Sequence, residues 1–268
     1  MKIQGINEGN PFVYLKPSKA QLKFWAGLDL AKNRRKEGRL LAEGIKVVRE
    51  SLRSRWETEY FLVRRDKEAL WKNLLPDMAG KTIYELTEAE WKKISQDKES
   101  EGIATLMAMP HVRFCAEISP KNEPRLLLLY QVGNPLNLGA ILRSAHWFGV
   151  KTILLSEGSV DFTHPKVIRA SMGSLFHLEI IDHVDFSASL PEIRKGYALI
   201  GTIVQGGIPL HPMGDEPSAI LLGSESHGLP EGLLSLTAER WSIPRLGDAE
   251  SLSLPQAAAV LLYEWTKA

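Results

Sequence analysis

Three polar loops in the second half of the sequence have residue types and spacings that suit ligand binding. The first leads into a predicted helix that carries Asn137 and, six residues later, Arg143. The second, over 223–228, has glycines on both sides of Glu225, and glycine lets a backbone approach a ligand closely. The third, over 244–255, is a polar loop that contains glycine and serine, which suits a ligand held through main-chain groups.

Each loop taken singly also has a purely structural interpretation. Arg143 fits an arginine whose stem packs and whose head pairs with a carboxylate. The glycine–glutamate pattern is at least as typical of a plain turn. The sequence contains none of the common phosphate-loop, dinucleotide, zinc-protease or nucleophile-elbow motifs. The histidines at 164, 177, 183 and 211 match no metal-ligand spacing, so we predict no metal site.

Continuous apolar runs precede these loops. They cover 126–132, 152–155, 178–181, 197–203, 219–222 and 241–243, and helical segments fall between several of them. This pattern predicts a parallel sheet covered on both faces, with ligands bound beyond the carboxyl ends of its strands. The first loop should lead into a helix over 137–148, with Asn137 as its N-cap and Gly149 after its end. A nearly unbroken apolar helix over 256–265 belongs in a core or a subunit interface.

The first half of the chain reads as a smaller α/β module. Ser18, Asp66 and Thr87 are predicted helix caps. A helix is predicted over 43–54, and strands over 60–63 and 103–108. Residues 116–124 are polar and contain two prolines, so the predicted domains are 1–115 and 125–268, joined by this linker.

Composition narrows the class of protein. The chain has 268 residues, of which 44% are apolar and 24% charged, as in ordinary globular proteins. A single cysteine, Cys115, excludes a disulfide framework. No apolar run approaches the roughly 18–20 residues of a membrane helix, and the first five residues lack the apolar core of a secretion signal. We therefore expect a cytoplasmic protein with no membrane partner.

The net charge of +1 averages two unlike halves. Residues 1–120 contain 22 basic and 17 acidic residues, whereas 121–268 contain 11 and 15. Within 31–55 only three glutamates stand against nine cations, which are Lys32, Arg34, Arg35, Lys36, Arg39, Lys46, Arg49, Arg53 and Arg55. This cluster predicts either a surface for nucleic-acid phosphates or a solvated helix face with i,i+4 partners.

The three loops, taken in this order, resemble the motifs of the SpoU/TrmH family of RNA methyltransferases, within the knotted SPOUT superfamily. The matching stretches are 134–149, 222–229 and 243–252, and 169–176 also looks like a family segment. The resemblance covers about residues 125–266. Residues 33–44 are similar to the family's substrate-binding extension, a small α/β RNA-binding module that resembles ribosomal proteins.

The resemblance implies a fold, a reaction and an assembly. The fold is α/β, with a mostly parallel sheet and a C-terminal trefoil knot. The reaction moves a methyl group from S-adenosylmethionine to a ribose 2′-hydroxyl of RNA, with ribosomal RNA favoured over transfer RNA. The assembly is a homodimer formed by the first-motif helix and the C-terminal helix.

The resemblance also implies functional residues. The implied catalytic residues are Asn137, Arg143, Glu225 and Ser251. The implied cofactor-binding residues are Thr202, Leu222, Gly223, Ile243 and Leu252. The implied RNA-binding residues are Arg34, Arg35, Lys36 and Arg39. Arg143 is the family's proposed catalytic position; a guanidinium is a poor base, so we favour a clamp on an RNA phosphate that also polarises the hydroxyl.

One departure from the family pattern bears on activity. The third motif usually reads Ser-Leu-Asn-x-Ser, and here Ser253 and Pro255 replace its last two named residues. This keeps a second hypothesis open, an RNA-binding protein of the same fold with little or no turnover. A third hypothesis, an α/β enzyme acting on a small molecule, leaves the basic N-terminal module without a role.

Overall fold

A computed structural model describes residues 12–95, 97 and 99–267, and the predictions made for the first eleven residues lie outside this range. The chain forms two compact units. The first unit contains the described residues up to Pro110 together with Thr163–Phe176. The second unit contains residues 111–162 and the chain from His177 onward.

The first unit is built on a mixed five-stranded sheet. Its strands are β1 (Tyr14–Leu15), β2 (Arg39–Glu43), β3 (Thr58–Val63), β4 (Thr82–Glu85) and β5 (Ile103–Ala108). They lie in the order β1-β4-β3-β5-β2, and β5 runs antiparallel to both β3 and β2. The helices are α1 (Lys19–Gly27), α2 (Ala31–Glu37), α3 (Ile45–Arg53), α4 (Glu68–Trp71) and α5 (Glu88–Trp91). The predicted small α/β module is therefore present.

Two of the three predicted caps in this unit are confirmed. Ser18 and Thr87 each form a capping box with the residue three positions later. The prediction for Asp66 is wrong, because this residue lies inside a short 3₁₀ turn and accepts a bidentate ion pair from Arg64. That pair lowers the pKa of the Asp66 carboxyl.

A segment distant in sequence completes the first unit. Within Thr163–Phe176, helix α7 (Pro165–Ala170) packs against β2 and buries Val167 and Ile168. The predicted domain over 125–268 included this segment. Burial of several apolar side chains stabilises the packing of this segment within the first unit, although its neighbours in sequence belong to the second unit.

The second unit is built on a six-stranded sheet in which every strand pair is parallel across the described residues. Its strands are β6 (Arg125–Leu129), β7 (Thr152–Ser156), β8 (Glu179–Val184), β9 (Ala198–Thr202), β10 (Ser218–Leu222) and β11 (Glu239–Trp241). Their order is β11-β9-β10-β6-β7-β8. The predicted parallel sheet is confirmed, and each strand overlaps the apolar run that predicted it.

Two helices of this unit frame the site described below. Helix α6 (Pro135–Trp147) begins two residues earlier than predicted, because the N-cap is Asn134 and not Asn137. Gly149 has a φ of +74° just beyond the helix, as predicted for its C-terminal end. The C-terminal helix α10 (Leu254–Thr266) packs against α6. The two smaller helices are α8 (Phe186–Ile193) and α9 (Glu231–Leu234).

The polar stretch predicted as a linker is tied to the second unit. Glu123 accepts hydrogen bonds from Arg113 at 2.7 Å, from the Ser119 amide at 3.2 Å and from Thr152 at 3.0 Å. Burial alone would raise the pKa of the Glu123 carboxyl, but these hydrogen bonds outweigh burial and the pKa is lowered.

Among the described helices, none is long and apolar enough to cross a membrane.

Candidate active site and RNA-binding residues

The first two predicted loops meet at the carboxyl end of the second sheet. Strands β6 and β10 are neighbours, and the Tyr130 amide donates to the Leu222 carbonyl at 2.8 Å just beyond their paired residues. Beyond that point the Asn137 side-chain amide donates to the carboxylate of Glu225. The parallel sheet therefore joins two residues that are 88 positions apart in the sequence.

The loop after β6 is held by the loop after β7. The Ser156 hydroxyl accepts from the Gln131 amide at 2.8 Å, and the Ser159 hydroxyl accepts from the Val132 amide at 3.3 Å. The Val160 amide donates to the Val132 carbonyl at 2.9 Å. Gln131 has a φ of +50°, a backbone conformation that costs free energy for a residue with a side chain. These serines lie in no motif, so no sequence signal marked them.

The loop after β10 closes on itself. Ser224 and Gly228 exchange two backbone hydrogen bonds, at 3.2 and 3.0 Å. A Cβ atom on Gly223 would lie 2.1 Å from the carbonyl carbon of Gly228. Gly223 is therefore required by the close approach of two backbone segments beside Glu225.

Arg143 is exposed on α6 and forms no hydrogen bond or ion pair with the part of the chain that the structure describes. The structural interpretation, a head that pairs with a carboxylate, is therefore wrong for the described residues. Six residues separate Arg143 from Asn137, which places the two side chains about 120° apart around the helix and about 9 Å apart along its axis. Arg143 thus faces a different direction from the Asn137–Glu225 pair.

The third loop is exposed along most of its length. Ser251 is exposed, and no hydrogen bond joins it to Asn137, Arg143 or Glu225 within the described range. Leu252 beside it is 47% exposed. The structure therefore brings together two of the four predicted catalytic residues and leaves Arg143 and Ser251 open to solvent.

The five predicted cofactor-binding residues lie at or beyond the ends of β9, β10 and β11. The Thr202 hydroxyl donates to the Leu221 carbonyl at 2.8 Å, so its hydrogen is already engaged. Leu222 and Gly223 are buried, Ile243 is half-buried and Leu252 is exposed. Apolar side chains with adjacent main-chain groups fit a planar purine held by backbone hydrogen bonds. Within the described residues, no three His, Cys, Asp or Glu side chains cluster as metal ligands.

The prediction that Arg34 contacts RNA is wrong. Its side chain is buried in the first unit, and the residue is only 1% exposed. The guanidinium donates to the Leu28 and Asp29 carbonyls at 2.9 and 2.7 Å and to the Thr163 hydroxyl at 2.8 Å. A guanidinium used in this way holds the fold together and has no free face for a phosphate.

The other predicted RNA-binding residues differ in availability. Arg35 and Lys36 are exposed, and Lys36 makes a long surface contact of 3.6 Å with Glu37. Arg39 is half-buried, and it donates to Glu59 at 2.7 Å and to the Glu37 carbonyl at 2.8 Å. The structure thus leaves Arg35 and Lys36 as the accessible members of the predicted set.

Helix α3 adds cations that sequence analysis counted in the basic cluster without assigning them to a site. Val47, Val48 and Ser51 are buried on one face of the helix. Lys46 and Arg49 are three residues apart on the solvent side, and neither forms an ion pair with the described residues. The three-residue spacing of Lys46 and Arg49 on a predicted helix was the sequence signal that could have placed both side chains on one face.

Comparison with known proteins gives consistent matches for both halves of the chain. Residues 124–263 match the model of the SpoU rRNA Methylase family, and residues 19–105 match the MRM3-like substrate binding domain. The chain is 29% identical over 245 residues to a 23S rRNA (guanosine(2553)-2′-O)-methyltransferase of Bacillus subtilis, covering 91% of this chain and 94% of that protein.

Two solved structures are similar over nearly the whole chain. An RNA 2′-O ribose methyltransferase is 30% identical with a TM-score of 0.78, covering 94% of this chain and 97% of the other. The SpoU methyltransferase AviRb of Streptomyces viridochromogenes, solved in complex with AdoMet, has a TM-score of 0.78 at 23% identity, covering 93% and 98%. The second likeness bears on the fold alone, and it agrees with the α/β architecture predicted from the sequence.

Proposed function

Because the chain belongs to the SpoU rRNA Methylase family, we propose that it transfers a methyl group from S-adenosylmethionine to a ribose 2′-hydroxyl of ribosomal RNA. The observation that carries the proposal is the pairing of Asn137 with Glu225 beyond β6 and β10, on the helix that also presents Arg143. We also propose a cytoplasmic location. The trefoil knot of the family is part of the same proposal.

The Asn137–Glu225 pair defines what each side chain offers to the substrate. A carboxylate only accepts hydrogen bonds, so the nitrogen of the Asn137 amide must face Glu225. The carbonyl oxygen of the same amide then faces away from Glu225 and is available as an acceptor. We assign this oxygen to the ribose hydroxyl, which it orients by accepting its proton in a hydrogen bond.

Arg143 contributes charge. S-adenosylmethionine supplies an electrophilic methyl group on a cationic sulfur, and the proton of the ribose hydroxyl leaves to the RNA phosphate or to water as the oxygen is methylated. A guanidinium stays protonated near neutral pH and therefore does not serve as a base. Exposed and without an ion pair among the described residues, it is suited to bind the RNA phosphate next to the target ribose and to polarise the hydroxyl.

The cofactor is assigned to the ends of β9, β10 and β11. Ile243 and Leu252 provide apolar surface for the adenine ring, and Gly223 allows close approach of the backbone. Thr202 and Leu222 contribute main-chain groups. We place Ser251 at the same site, as a hydroxyl near the transferred methyl group, in agreement with its exposure.

The departure in the third motif is compatible with a folded site. Ser253 occupies the N-cap position of α10, and Pro255 lies in its first turn, where its missing amide hydrogen is not needed. The RNA-binding protein without turnover remains the second hypothesis. It differs from an active enzyme in one measurable result, RNA binding without methyl transfer.

The test is to map ribose methylation in total RNA from cells with and without this protein. We expect one or a few ribosomal nucleotides to lose the 2′-O-methyl group in its absence, and purified protein with S-adenosylmethionine to restore it. A map without change, together with RNA that binds but is not methylated in vitro, supports the second hypothesis.

The RNA surface of the first unit is assigned to four exposed or half-buried cations, Arg35, Lys36, Lys46 and Arg49. Substituting all four with alanine should weaken RNA binding and flatten its salt dependence. Each phosphate contact contributes about 0.7–0.9 to the slope of log K against log salt, so the slope should fall in magnitude by about three. Affinity measured over a salt series checks this prediction.

Lys92→Ala is the matched control for that series. Lys92 is an exposed cation of the same unit, and it already pairs with Glu88 at 2.7 Å. We expect the slope of log K against log salt for this variant to equal that of the unsubstituted protein. If the variant with all four substitutions keeps the original slope, these cations form a solvated helix face and do not bind RNA.

We assign the homodimer interface to exposed apolar residues of α6 and α10. Leu136 and Trp147 flank Arg143 along one side of α6, and Trp147 is 84% exposed. Val260 and Tyr263 are exposed on α10, which packs against α6. A second copy seated on this surface covers the apolar groups and places Arg143 at the edge of the interface.

Trp147→Asp is therefore expected to yield a monomer, because a charge would replace a large and mostly exposed apolar side chain of this surface. We expect the dimer Kd to rise by at least about 100-fold. Light scattering after gel filtration measures the mass. Leu70→Asp, at an exposed leucine of the first unit, is the control and should remain dimeric.

A further inference from the structure

Gln131 lies two residues beyond strand β6 and has a strained backbone at the carboxyl edge of the second sheet. Its φ is +50°, in the left-handed region that favours glycine. Neighbouring segments hold it there. The Tyr130 amide donates to the Leu222 carbonyl at 2.8 Å, and the Gln131 amide donates to the Ser156 hydroxyl at 2.8 Å. The chain therefore keeps a glutamine in a conformation that glycine would adopt without steric cost.

The side chain of Gln131 is presented to solvent. It is exposed, and its amide group forms no hydrogen bond with the residues that the structure describes. The side chain lies over Gly158 in the loop after β7, since a Cβ atom on Gly158 would lie 3.5 Å from the Gln131 Cγ and 3.8 Å from its Nε2. No hydrogen bond within the described protein accounts for a glutamine at this position, so the amide is available to a ligand.

The place of Gln131 relative to the proposed cofactor site follows from strand order. The proposed cofactor residues lie at the ends of β9, β10 and β11, all on one side of β6. The Gln131 side chain extends toward the loop after β7, on the other side of β6. The Asn137–Glu225 pair joins the loops after β6 and β10, between these two regions. An oxygen that attacks a methyl group approaches it opposite to the sulfur, so the target nucleotide belongs on the side of Gln131.

We propose that Gln131 is a specificity-determining residue whose side-chain amide hydrogen-bonds to the base of the nucleotide that is methylated. A glutamine amide offers a donor and an acceptor side by side, as the edge of a base does, whereas a phosphate oxygen only accepts. Unpaired bases of RNA are recognised through hydrogen bonds of this kind. The inference rests on the proposed function, because it assigns a further part of the same site.

A purely structural role for Gln131 predicts a different result. If the residue only connects β6 to α6, glycine fits its backbone conformation and activity is unaffected. His183 supplies the matched control, since it also has a left-handed backbone, with a φ of +55°, and is exposed. It lies on β8, the edge strand two positions from β6 in the same sheet.

Gln131→Gly, Gln131→Asn and His183→Gly are compared in the full chain, on an RNA fragment around the nucleotide identified by methylation mapping. We expect Gln131→Gly to lower kcat/KM for RNA by roughly 10–100-fold, the loss of one bidentate contact to a base, with the cofactor Kd within about twofold. Gln131→Asn, which keeps the amide on a shorter side chain, should be intermediate. His183→Gly should be fully active.

The melting temperature separates a lost contact from a damaged fold. Both glycine variants should melt within about 3 °C of the unsubstituted protein, because relief of the left-handed backbone offsets the greater freedom of glycine in the unfolded chain. A loss of activity in Gln131→Gly that comes with a much larger fall in melting temperature than in His183→Gly contradicts the inference.

A change of the target base in the RNA is the third measurement. The unsubstituted protein should prefer the natural base, and Gln131→Gly should lose most of this preference, because base and side chain act as one interaction. Full activity in Gln131→Gly overturns the inference, as does an unchanged base preference in that variant.

A photocrosslink tests the inference without methyl transfer. If the unsubstituted protein methylates no RNA, the proposed function fails, and ribosomal RNA from cells that lack the protein serves as the probe. We expect Gln131→benzoylphenylalanine to crosslink to this RNA under ultraviolet light and His183→benzoylphenylalanine not to do so. Equal crosslinking of the two variants, or none from position 131, overturns the inference.

Discussion

Arg143→Ala is expected to lower the rate of methyl transfer by about 10²–10³ while S-adenosylmethionine still binds. The side chain is exposed and forms no hydrogen bond or ion pair with the described residues, so its removal leaves the fold intact. Losing one charge-stabilising group at a reaction centre costs about 10²–10³ in rate. Single-turnover methylation of RNA, with cofactor affinity measured by calorimetry, gives both quantities.

Two further substitutions define the role of this arginine. Arg143→Lys keeps the charge but not the bidentate geometry, so a phosphate clamp predicts a partial loss of rate and a weaker KM for RNA. Arg194→Ala, at another exposed arginine of the second unit, is the matched control and should be fully active. Full activity in Arg143→Ala would remove this residue from the mechanism, whatever the outcome for Arg143→Lys.

The parts of the fold that were predictable are those set by local patterns. Continuous apolar runs predicted the strands of the second sheet, since a strand buried on both faces has no polar side to show. Ser18 and Thr87 were identified as caps because a capping box needs only residues three apart. The predicted start of α6 was wrong, although the sequence carried a signal for the correct one. Proline favours the first turn of a helix, and Pro135 directly follows the N-cap Asn134.

The pairing of Asn137 with Glu225 was predictable only in outline. The parallel sheet indicated that the loops after β6 and β10 share one edge, but strand order decides which loops are neighbours. Strand order depends on packing among all the elements, which local patterns do not encode. The family resemblance implied that Asn137 and Glu225 are both catalytic without stating that they contact each other, and in the structure the Asn137 amide donates to the Glu225 carboxylate.

The burial of Arg34 was not predictable from its neighbours in sequence. It lies in a run of cations of which Arg35 and Lys36 are exposed, and composition treats the three alike. What distinguishes Arg34 is an acceptor 129 residues away, the hydroxyl of Thr163. This contact forms because the segment 163–176 packs in the first unit, although its neighbours in sequence belong to the second unit.

Arg34→Ala is accordingly expected to destabilise the first unit and not to act as a simple RNA-binding mutation. The substitution removes the guanidinium that donates to the Leu28 and Asp29 carbonyls and to the Thr163 hydroxyl. It also opens a cavity the size of a guanidinium. Losses of this kind cost about 3 kcal/mol in the free energy of unfolding. Urea unfolding followed by tryptophan fluorescence reports it, because Trp25, Trp71 and Trp91 are buried in this unit.

Lys36→Ala is the control that separates stability from RNA binding. Lys36 is an exposed cation on the same helix with a long surface contact of 3.6 Å to Glu37, so its removal should change the free energy of unfolding by less than about 0.5 kcal/mol and still reduce the salt dependence of RNA binding. Equal stability of the two variants would contradict the structural role of Arg34. Arg34→Lys should be intermediate, since an ammonium retains the charge but does not reach three acceptors held in the geometry of a guanidinium.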